Sequence, residues 1–248
     1  MLTLVVVAKN EADRIGRCLA SVPFASHILV LDSGSDDDTV RIARDHGAEV
    51  VETDWPGFVA QKNRALERVR TPFALSLDAD EWLSPEARAG IERVLATDDP
   101  SVQGWSFPRA NLWLGHSIRH GAWYPDRKIR LVRTGSARWI GDDPHDHLEV
   151  RGSVARLDGD IHHDPYRRFA DHLRTIDRYT RLNAESLAAR GVKARRRDPV
   201  VHALGHFAKG YVLRQGFRDG APGLALATLG AAHAGLKWAR LYRLGSRP

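Results

Sequence analysis

The feature that most constrains the fold is an alternation of strand-like and helix-like patterns over the first hundred residues. Leu2–Ala8 is a continuous apolar run rich in valine, as expected for a strand covered on both faces. Ile15, Cys18, Leu19 and Val22 then recur at the spacing of one helix face. Further strands are predicted at 28–31, 49–52 and 73–77, and further helices at 37–46, 58–69 and 85–96. This order predicts an α/β fold with a doubly wound, mostly parallel sheet and right-handed crossovers.

The rest of the chain changes character twice. Residues 101–165 show little helical periodicity, and short strands are predicted at 129–132 and 150–157. Helical patterns return from about Tyr166, with an apolar stripe at Val200, Leu204, Phe207 and Tyr211 and a second apolar segment at 223–244. We therefore expect one domain over 1–165, in two halves at 1–100 and 101–165, followed by a helical tail over 166–248.

The charges are segregated along the chain, although the formal net charge is only +6. Residues 1–100 carry 11 Lys/Arg and 18 Asp/Glu, whereas residues 166–248 carry 17 Lys/Arg and five Asp/Glu. Basic amphipathic helices of this kind bind anionic lipid surfaces. No signal peptide and no apolar run of membrane-spanning length is apparent. We expect a cytoplasmic protein held peripherally on the inner face of the cytoplasmic membrane by its tail.

Polar clusters stand at three predicted strand ends. They are Lys9-Asn10-Glu11, Asp32-Ser33-Gly34-Ser35 and Asp78-Ala79-Asp80. In an open parallel sheet, ligands bind beyond the carboxyl ends of the strands. Neither a G-x-G-x-x-G fingerprint nor a P-loop is present. Carboxylates cannot hold a phosphate group directly, so this site predicts a divalent cation with oxygen ligands between the carboxylates and the anion.

Other polar groups have simpler explanations. Asp36, Asp37 and Asp38 precede a helix, where carboxylates complement the helix dipole. His202 and His206 have metal-ligand spacing but lack the glutamate of H-E-x-x-H and a third ligand. The single cysteine, Cys18, excludes an intramolecular disulfide and lies on an apolar helix face, which indicates packing.

In combination, the motifs resemble glycosyltransferase family 2, which has the Rossmann-like GT-A fold. The resemblance is closer to its lipopolysaccharide-core glucosyltransferase-like branch and extends over nearly the whole chain. It rests on Val5–Glu11, Val30–Ser35, Gln61-Lys62-Asn63, Leu77–Glu81, Arg119–Asp126, Pro144-His145-Asp146, His163, Gly216–Gly220 and Leu236-Lys237-Trp238. It implies a nucleotide-sugar-binding half at 1–100 and an acceptor-side half at 101–165.

The resemblance also implies site roles. The residues that would bind the nucleoside-diphosphate sugar are Asn10, Glu11, Asp32, Lys62 and Asp78, with Asp32 near the uracil or ribose. Asp80 and His163 would hold Mg²⁺ or Mn²⁺ at the diphosphate. Since His162 is adjacent to His163, the histidine assignment is open by one residue.

A general base must take the proton of the acceptor hydroxyl as that oxygen attacks the anomeric carbon. The family has His-Glu where this chain has His145-Asp146, so the carboxylate lies about one methylene further back. We favour Asp146 as the base, with Asp126 as the alternative.

We therefore predict a metal-dependent, inverting glycosyltransferase that uses a UDP-sugar donor and a cell-envelope glycolipid acceptor, with the lipopolysaccharide inner core favoured. One alternative is a sugar nucleotidyltransferase, which should carry a Gly-rich basic loop after the first strand. The other is a basic nucleic-acid-binding protein, whose positive charge should lie beside aromatic residues. Most tryptophans instead lie in the near-neutral middle segment, so no nucleic-acid partner is expected.

Overall fold

The computed structural model describes residues 1–141 and 146–245. The chain forms two compact units. The first comprises Met1–Arg109 and Asp126–His163, and the second comprises Ala110–Pro125 and Asp164–Pro248. Residues 110–125, which the sequence pattern placed with the acceptor-side half, thus belong to the same unit as the helical tail.

The first unit is built on a mixed sheet with helices on both faces, and it also contains a separate two-stranded antiparallel sheet formed by residues 137–140 and 147–150. Its strands are β1 (Leu2–Ala8), β2 (His27–Asp32), β3 (Glu49–Glu52), β4 (Phe73–Asp78), β5 (Glu81–Leu83), β6 (Val102–Trp113, to Arg109 in this unit), β8 (Asp126–Arg133), β9 (Ala137–Ile140), β10 (His147–Val150), β11 (Ser153–Arg156) and β12 (Ile161–His163). Its helices are α1 (Ile15–Ala20), α2 (Thr39–Asp45), α3 (Phe58–Glu67) and α4 (Pro85–Thr97). A two-residue strand, β7 (His116–Ser117), lies in the second unit.

The predicted parallel half is confirmed. The sheet order is β3-β2-β1-β4-β8-β6-β12-β5, and the first four strands pair in parallel. Beyond β4 the sheet turns antiparallel, because β8 pairs antiparallel with both β4 and β6. The predicted strand at 150–157 is two strands, since Gly152 turns the chain at a φ of 127° between β10 and β11.

The side chains of strand β1 pack against helices on both faces of the sheet. Leu4 and Val6 pack with α1 residues such as Ile15, whereas Val5 packs on the other face with Ala65 of α3. Successive side chains of a strand point to opposite faces, so a strand with two buried faces must be apolar throughout. Cys18 is 1% exposed within the first of these clusters, which confirms its packing role.

Helix α4 begins as its sequence predicts. The Ser84 hydroxyl accepts a hydrogen bond from the Ala87 amide at 3.2 Å, and Pro85 occupies the first helical turn. Proline costs nothing there because its missing N–H would have had no intrahelical partner.

The second unit is mainly helical. It contains α5 (Phe169–Ala189), α6 (Asp198–Phe207), a π-helical turn at Ala208–Leu213, a short 3₁₀ turn at Gly216–Asp219 and α7 (Gly220–Gly245). The ring of His202 stacks on Trp238 at 3.9 Å, and His206 lies against Gly230 of α7. These contacts give both histidines packing roles between α6 and α7, in agreement with the simpler explanation of their spacing.

Helix α6 has an outer face that the unit does not cover. None of its residues is buried, and Val200, Val201 and Leu204 are 62%, 56% and 67% exposed. The predicted stripe therefore begins on an exposed apolar face. Among the described helices, none combines enough length and apolarity to cross a bilayer.

Candidate active site

The three polar strand ends meet at one edge of the sheet. Ala8 at the end of β1 aligns with Asp32 at the end of β2, and the preceding Val7 aligns with Asp78 at the end of β4. The loops are also joined by hydrogen bonds. The Asn10 amide donates to the Ser35 hydroxyl at 2.9 Å, and the Asn10 side-chain oxygen accepts from the Asp36 amide at 3.0 Å. The convergence predicted from the sequence is therefore present.

Asp32 shapes this edge from inside. Its side chain is 0% exposed and accepts hydrogen bonds from the amides of Gly34 and Ser35 at 2.9 and 2.8 Å, and from the Ser35 hydroxyl. It thus organises the loop after β2. A direct contact of Asp32 with a nucleoside stays a prediction.

Glu11 lies at the next position of the β1 loop. Its amide donates to the Thr39 hydroxyl at 2.8 Å, which ties the loop to the start of α2. Asp37 and Asp38 stand at the same helix end, where Asp37 accepts from the Thr39 amide and Asp38 pairs with Arg41. Their position at this end of α2 is consistent with carboxylates that complement the helix dipole.

Lys62 joins two predicted site residues that are 68 positions apart in the sequence. Its ammonium group lies 2.8 Å from Asp78 Oδ1 and 2.8 Å from Asp146 Oδ2. The ammonium also lies 4.2 Å from the centre of the Trp139 ring, a cation–π arrangement. Burial alone would lower the pKa of Lys62, but the two carboxylates outweigh it and raise that pKa. Lys62 is therefore a fixed cation that holds Asp78 and Asp146 together.

Arg130 is a second buried cation, one that was not predicted from the sequence. The guanidinium binds Glu81 through two hydrogen bonds of 2.9 and 2.7 Å and reaches Asp78 Oδ2 at 3.0 Å. Burial would raise the pKa of Asp78, yet Lys62 and Arg130 together lower it, so this carboxylate stays ionised. A signal did exist: Arg130 stands between Ile129 and Leu131 in a predicted strand, and a buried arginine requires an acidic partner.

Glu81, immediately after the Asp78-Ala79-Asp80 motif, is the partner that Arg130 requires. Its side chain is 0% exposed and also accepts from the Asp78 amide at 3.1 Å. This contact fixes the turn between β4 and β5. Asp78 and Asp80 are thereby presented from a rigid segment of backbone.

Asp80 faces a different set of groups. Its Oδ2 lies 3.5 Å from Arg14 Nη1 and 3.5 Å from His163 Nε2. The neighbouring His162 instead stacks on Trp82, with ring centres 5.2 Å apart. Of the two histidines, His163 is therefore the one that lies beside Asp80, and its role as a metal ligand stays a prediction.

The side chains at this site suit a divalent cation that binds the protein and a substrate at the same time. In the described chain, no three His, Cys, Asp or Glu side chains are grouped to hold a metal ion by themselves. Asp80 Oδ2 and His163 Nε2, which are 3.5 Å apart, are two side-chain atoms that could bind one cation. Mg²⁺ in particular is commonly held by one or two carboxylates together with substrate phosphates. The arrangement therefore suits a metal bound jointly by protein and diphosphate.

The two candidates for the general base, Asp146 and Asp126, form ion pairs with different cationic side chains. Asp146 is 15% exposed and contacts Lys62, whereas its neighbour His145 lies outside the described residues. Asp126 is 33% exposed and is held by Arg109 at 2.6 Å and by Lys128 at 3.2 Å. Asp146 thus shares its cation with Asp78, a predicted donor-binding residue, and Asp126 does not.

Comparison with solved structures gives distant matches. The crystal structure of residues 1–349 of S. aureus TarS in complex with UDP-GlcNAc has a TM-score of 0.49 at 13% identity, covering 98% of this chain and 92% of that one. A Mycobacterium tuberculosis glucosyl-3-phosphoglycerate synthase in complex with Mn²⁺, UDP and glucosyl-3-phosphoglycerate has a TM-score of 0.47 at 16% identity, covering 77% and 80%.

Comparison with known sequences gives relatives along the whole chain. The lipopolysaccharide core biosynthesis glycosyltransferase LpsC of Rhizobium meliloti is 27% identical over 262 residues, which cover 100% of this chain and 95% of LpsC. An uncharacterized glycosyltransferase of Rickettsia typhi is 26% identical and covers 96% of this chain and 86% of its own length. The model of the family Glycosyl transferase family 2 matches residues 3–136, more than half of the chain. The chain therefore belongs to glycosyl transferase family 2.

Proposed function

We propose that this glycosyltransferase moves a sugar, with inversion, from a UDP-sugar to a glycolipid of the cell envelope, with the lipopolysaccharide core as the favoured acceptor. The observation that carries the proposal is the pair of contacts from Lys62 to Asp78 and Asp146. Through Lys62, the candidate general base Asp146 is linked to Asp78, the strand-end carboxylate predicted to bind the donor. The acceptor class is supported by the match to LpsC along the whole chain.

The donor half of the proposal uses residues of the strand-end site. Asp78, held by Lys62 and Arg130, would bind the ribose, and the Asn10 and Glu11 loop would border the nucleoside. Asp80 and His163 would hold Mg²⁺ or Mn²⁺ at the diphosphate. When bound, such a cation neutralises the charge that develops on the departing nucleoside diphosphate.

The acceptor half requires a base. A carboxylate at Asp146 would take the proton of the acceptor hydroxyl while the oxygen–carbon bond forms and the bond to the diphosphate breaks. Lys62 would act as a positioning residue, because it fixes the Asp146 carboxylate at 2.8 Å. Asp126 remains the alternative base.

The proposed activity is tested with a panel of UDP-sugars and GDP-sugars, each incubated with and without Mn²⁺. We expect hydrolysis or transfer with a subset of the UDP-sugars and loss of that activity when EDTA removes the metal. Release of pyrophosphate from a nucleoside triphosphate and a sugar phosphate would instead identify a nucleotidyltransferase. Turnover of GDP-sugars alone would contradict the choice of donor.

We further propose that the outer face of α6 contacts an anionic membrane surface, on the cytoplasmic side of the cell membrane. Val200, Val201 and Leu204 present exposed apolar side chains. Exposed basic residues flank them on both sides along the chain: Arg195, Arg196 and Arg197 before the helix, and Lys209 and Arg214 after it. Apolar burial together with cations near the surface, each worth about 1 kcal/mol, is the combination that binds anionic lipid.

Val200→Glu is expected to weaken binding to anionic vesicles at least about tenfold. The change removes about 1.5 kcal/mol of apolar burial and adds a repelled charge. Sedimentation with phosphatidylglycerol vesicles measures it. Val154→Glu, at an exposed valine of β11, is the matched control and should bind like the wild type. Equal binding of Val200→Glu, or RNA binding as strong as lipid binding, would overturn the assignment.

A further inference from the structure

The second unit contains a cavity separate from the strand-end carboxylates of the first unit. Its volume is about 320 Å³, roughly twice that of a dry apolar cavity of about 150 Å³ that can bind benzene. The floor is buried: Ile118 is 2% exposed, Ile176 6% and Ala227 8%. His206 and Ala122 are exposed lining residues, so the cavity has an accessible mouth.

The lining chemistry excludes several ligand classes. Among the described residues that line the cavity there is no Asp, Glu, Lys, Arg, Asn or Gln. A nucleotide would require cations for its phosphates, and a sugar would require several amide or carboxylate partners for its hydroxyls. Trp123, Tyr166 and Leu226 instead offer aromatic and aliphatic surface. The ligand that suits these walls is uncharged and apolar.

The histidines of the cavity do not change this conclusion. Burial, and then the neighbouring His233, lower the pKa of His172 to about 4, so its ring is neutral at pH 7. Its Nδ1 accepts a hydrogen bond from Trp113 at 3.0 Å, and its ring stacks on Tyr166 at 4.4 Å. Burial likewise lowers the pKa of both His206 and His233. These three histidines therefore add no positive charge to the walls near neutral pH.

Another histidine is fixed by a carboxylate. His120 Nδ1 donates to Asp219 at 2.7 Å, and Asp219 also accepts from the amides of Arg119 and His120. Asp219 therefore holds the loop around Gly121, which forms part of the cavity wall. Part of the wall comes from two distant sequence motifs, through residues 120–123 of one and Gly216 of the other.

One helix, α6, contributes both to the lining of the cavity and to the surface proposed to meet lipid. His206 at the mouth belongs to α6, and α6 carries the exposed residues Val200, Val201 and Leu204. A chain leaving a membrane at this helix would exchange one apolar environment for another. An apolar chain that enters the cavity in this way avoids most of the desolvation cost that a polar ligand would incur.

We propose that the cavity of the second unit binds one acyl chain of a membrane lipid. The identification of that lipid as the acceptor rests on the proposed function. The binding itself does not, and it is measured without donor and without turnover. A failure of acyl-chain binding and a failure of the proposed glycosyl transfer are therefore distinguishable.

The test is calorimetric titration with a lysophosphatidylcholine below its micelle concentration, with the matching fatty acid, and with glycerophosphocholine. We expect one saturable site for both chain-bearing ligands, with a negative heat-capacity change, and no binding of chain-free glycerophosphocholine. If only the fatty acid binds, the ligand is a free acid and the assignment to membrane lipid is wrong. Binding of glycerophosphocholine, or no saturable binding at all, would overturn the proposal.

A matched pair of variants locates the site. Ala227→Phe fills the cavity and should weaken lysophosphatidylcholine binding at least tenfold without lowering the melting temperature. Ala232→Phe places the same side chain at an exposed position of the same helix and should bind like the wild type. Equal affinity in both variants would place the site elsewhere. If Ala227→Phe does not fold, a lipid with a brominated chain should quench the wild type more than Trp123→Phe, and equal quenching would refute the location.

Discussion

Asp80→Asn is expected to lower metal-dependent turnover by about 10³-fold. The substitution keeps the size of the side chain and removes its charge, so the pair formed with His163 loses its anionic member. A metal ion bound to the diphosphate contributes several kcal/mol to the stabilisation of developing charge. Each 1.36 kcal/mol of activation free energy changes the rate tenfold. The measurement is initial rate against Mn²⁺ concentration with a donor identified in the sugar-nucleotide panel.

A second readout separates metal binding from chemistry. The stabilisation of the wild type by UDP together with Mn²⁺, measured as a shift in melting temperature, should be lost in Asp80→Asn. Asp45→Asn, at an exposed position of α2, is the control and should keep both activity and the shift. Full activity of Asp80→Asn with a verified donor would show that the metal is held elsewhere.

Asp146→Asn is expected to reduce kcat by 10² to 10⁴, the range that general-base catalysis typically contributes. The amide cannot accept the proton of the acceptor hydroxyl. Lys62 still neutralises Asp78 in the variant, so the Kd for UDP should stay close to that of the wild type. Asp126→Asn, the matched change at the alternative base, should cost less than about tenfold. Rates from transfer assays and Kd values from calorimetry provide the comparison.

The length of the side chain at position 146 gives a sharper control. The family pattern has glutamate where this chain has Asp146, so Asp146→Glu should retain substantial activity although it moves the carboxylate by about one methylene. Loss of activity in Asp126→Asn, with Asp146→Asn unaffected, would reverse the assignment of the base. If Asp146→Asn and Asp126→Asn lose activity equally and both raise the Kd for UDP, the ion pairs of these two carboxylates have a structural role and neither carboxylate is identified as the base.

Much of the first unit could be predicted because its signals are local. The valine-rich run of β1 and the helix face that follows it are readable within 20 residues, and both are present in the structure. The general rule for parallel sheets then brings the ends of β1, β2 and β4 together. The antiparallel half was harder to predict. Strand β6 contains Gly104 and Pro108, residues that usually argue against a strand interior.

The candidate site also combines features that can be read from the sequence with features that cannot. Asp78 and Asp80 are visible in the sequence as a motif after a buried strand. Asp32 belongs to an equally clear motif, yet its carboxylate turns inward to bind the loop amides. Whether a strand-end carboxylate faces a ligand or its own backbone depends on the local loop conformation. Residue type alone does not determine that conformation.

The sequence by itself determined the parallel sheet, the edge at which the carboxylates meet and the membership of the chain in its family, since these follow from short apolar periods and from motifs. Only the tertiary structure decided that Lys62 joins Asp78 to Asp146, that Arg130 holds Glu81, and that His163 lies beside Asp80. These contacts link residues that are between 16 and 84 positions apart in the sequence. Such contacts depend on the order of the strands in the sheet and on the conformation of the segments between them, and neither can be read from a short stretch of sequence.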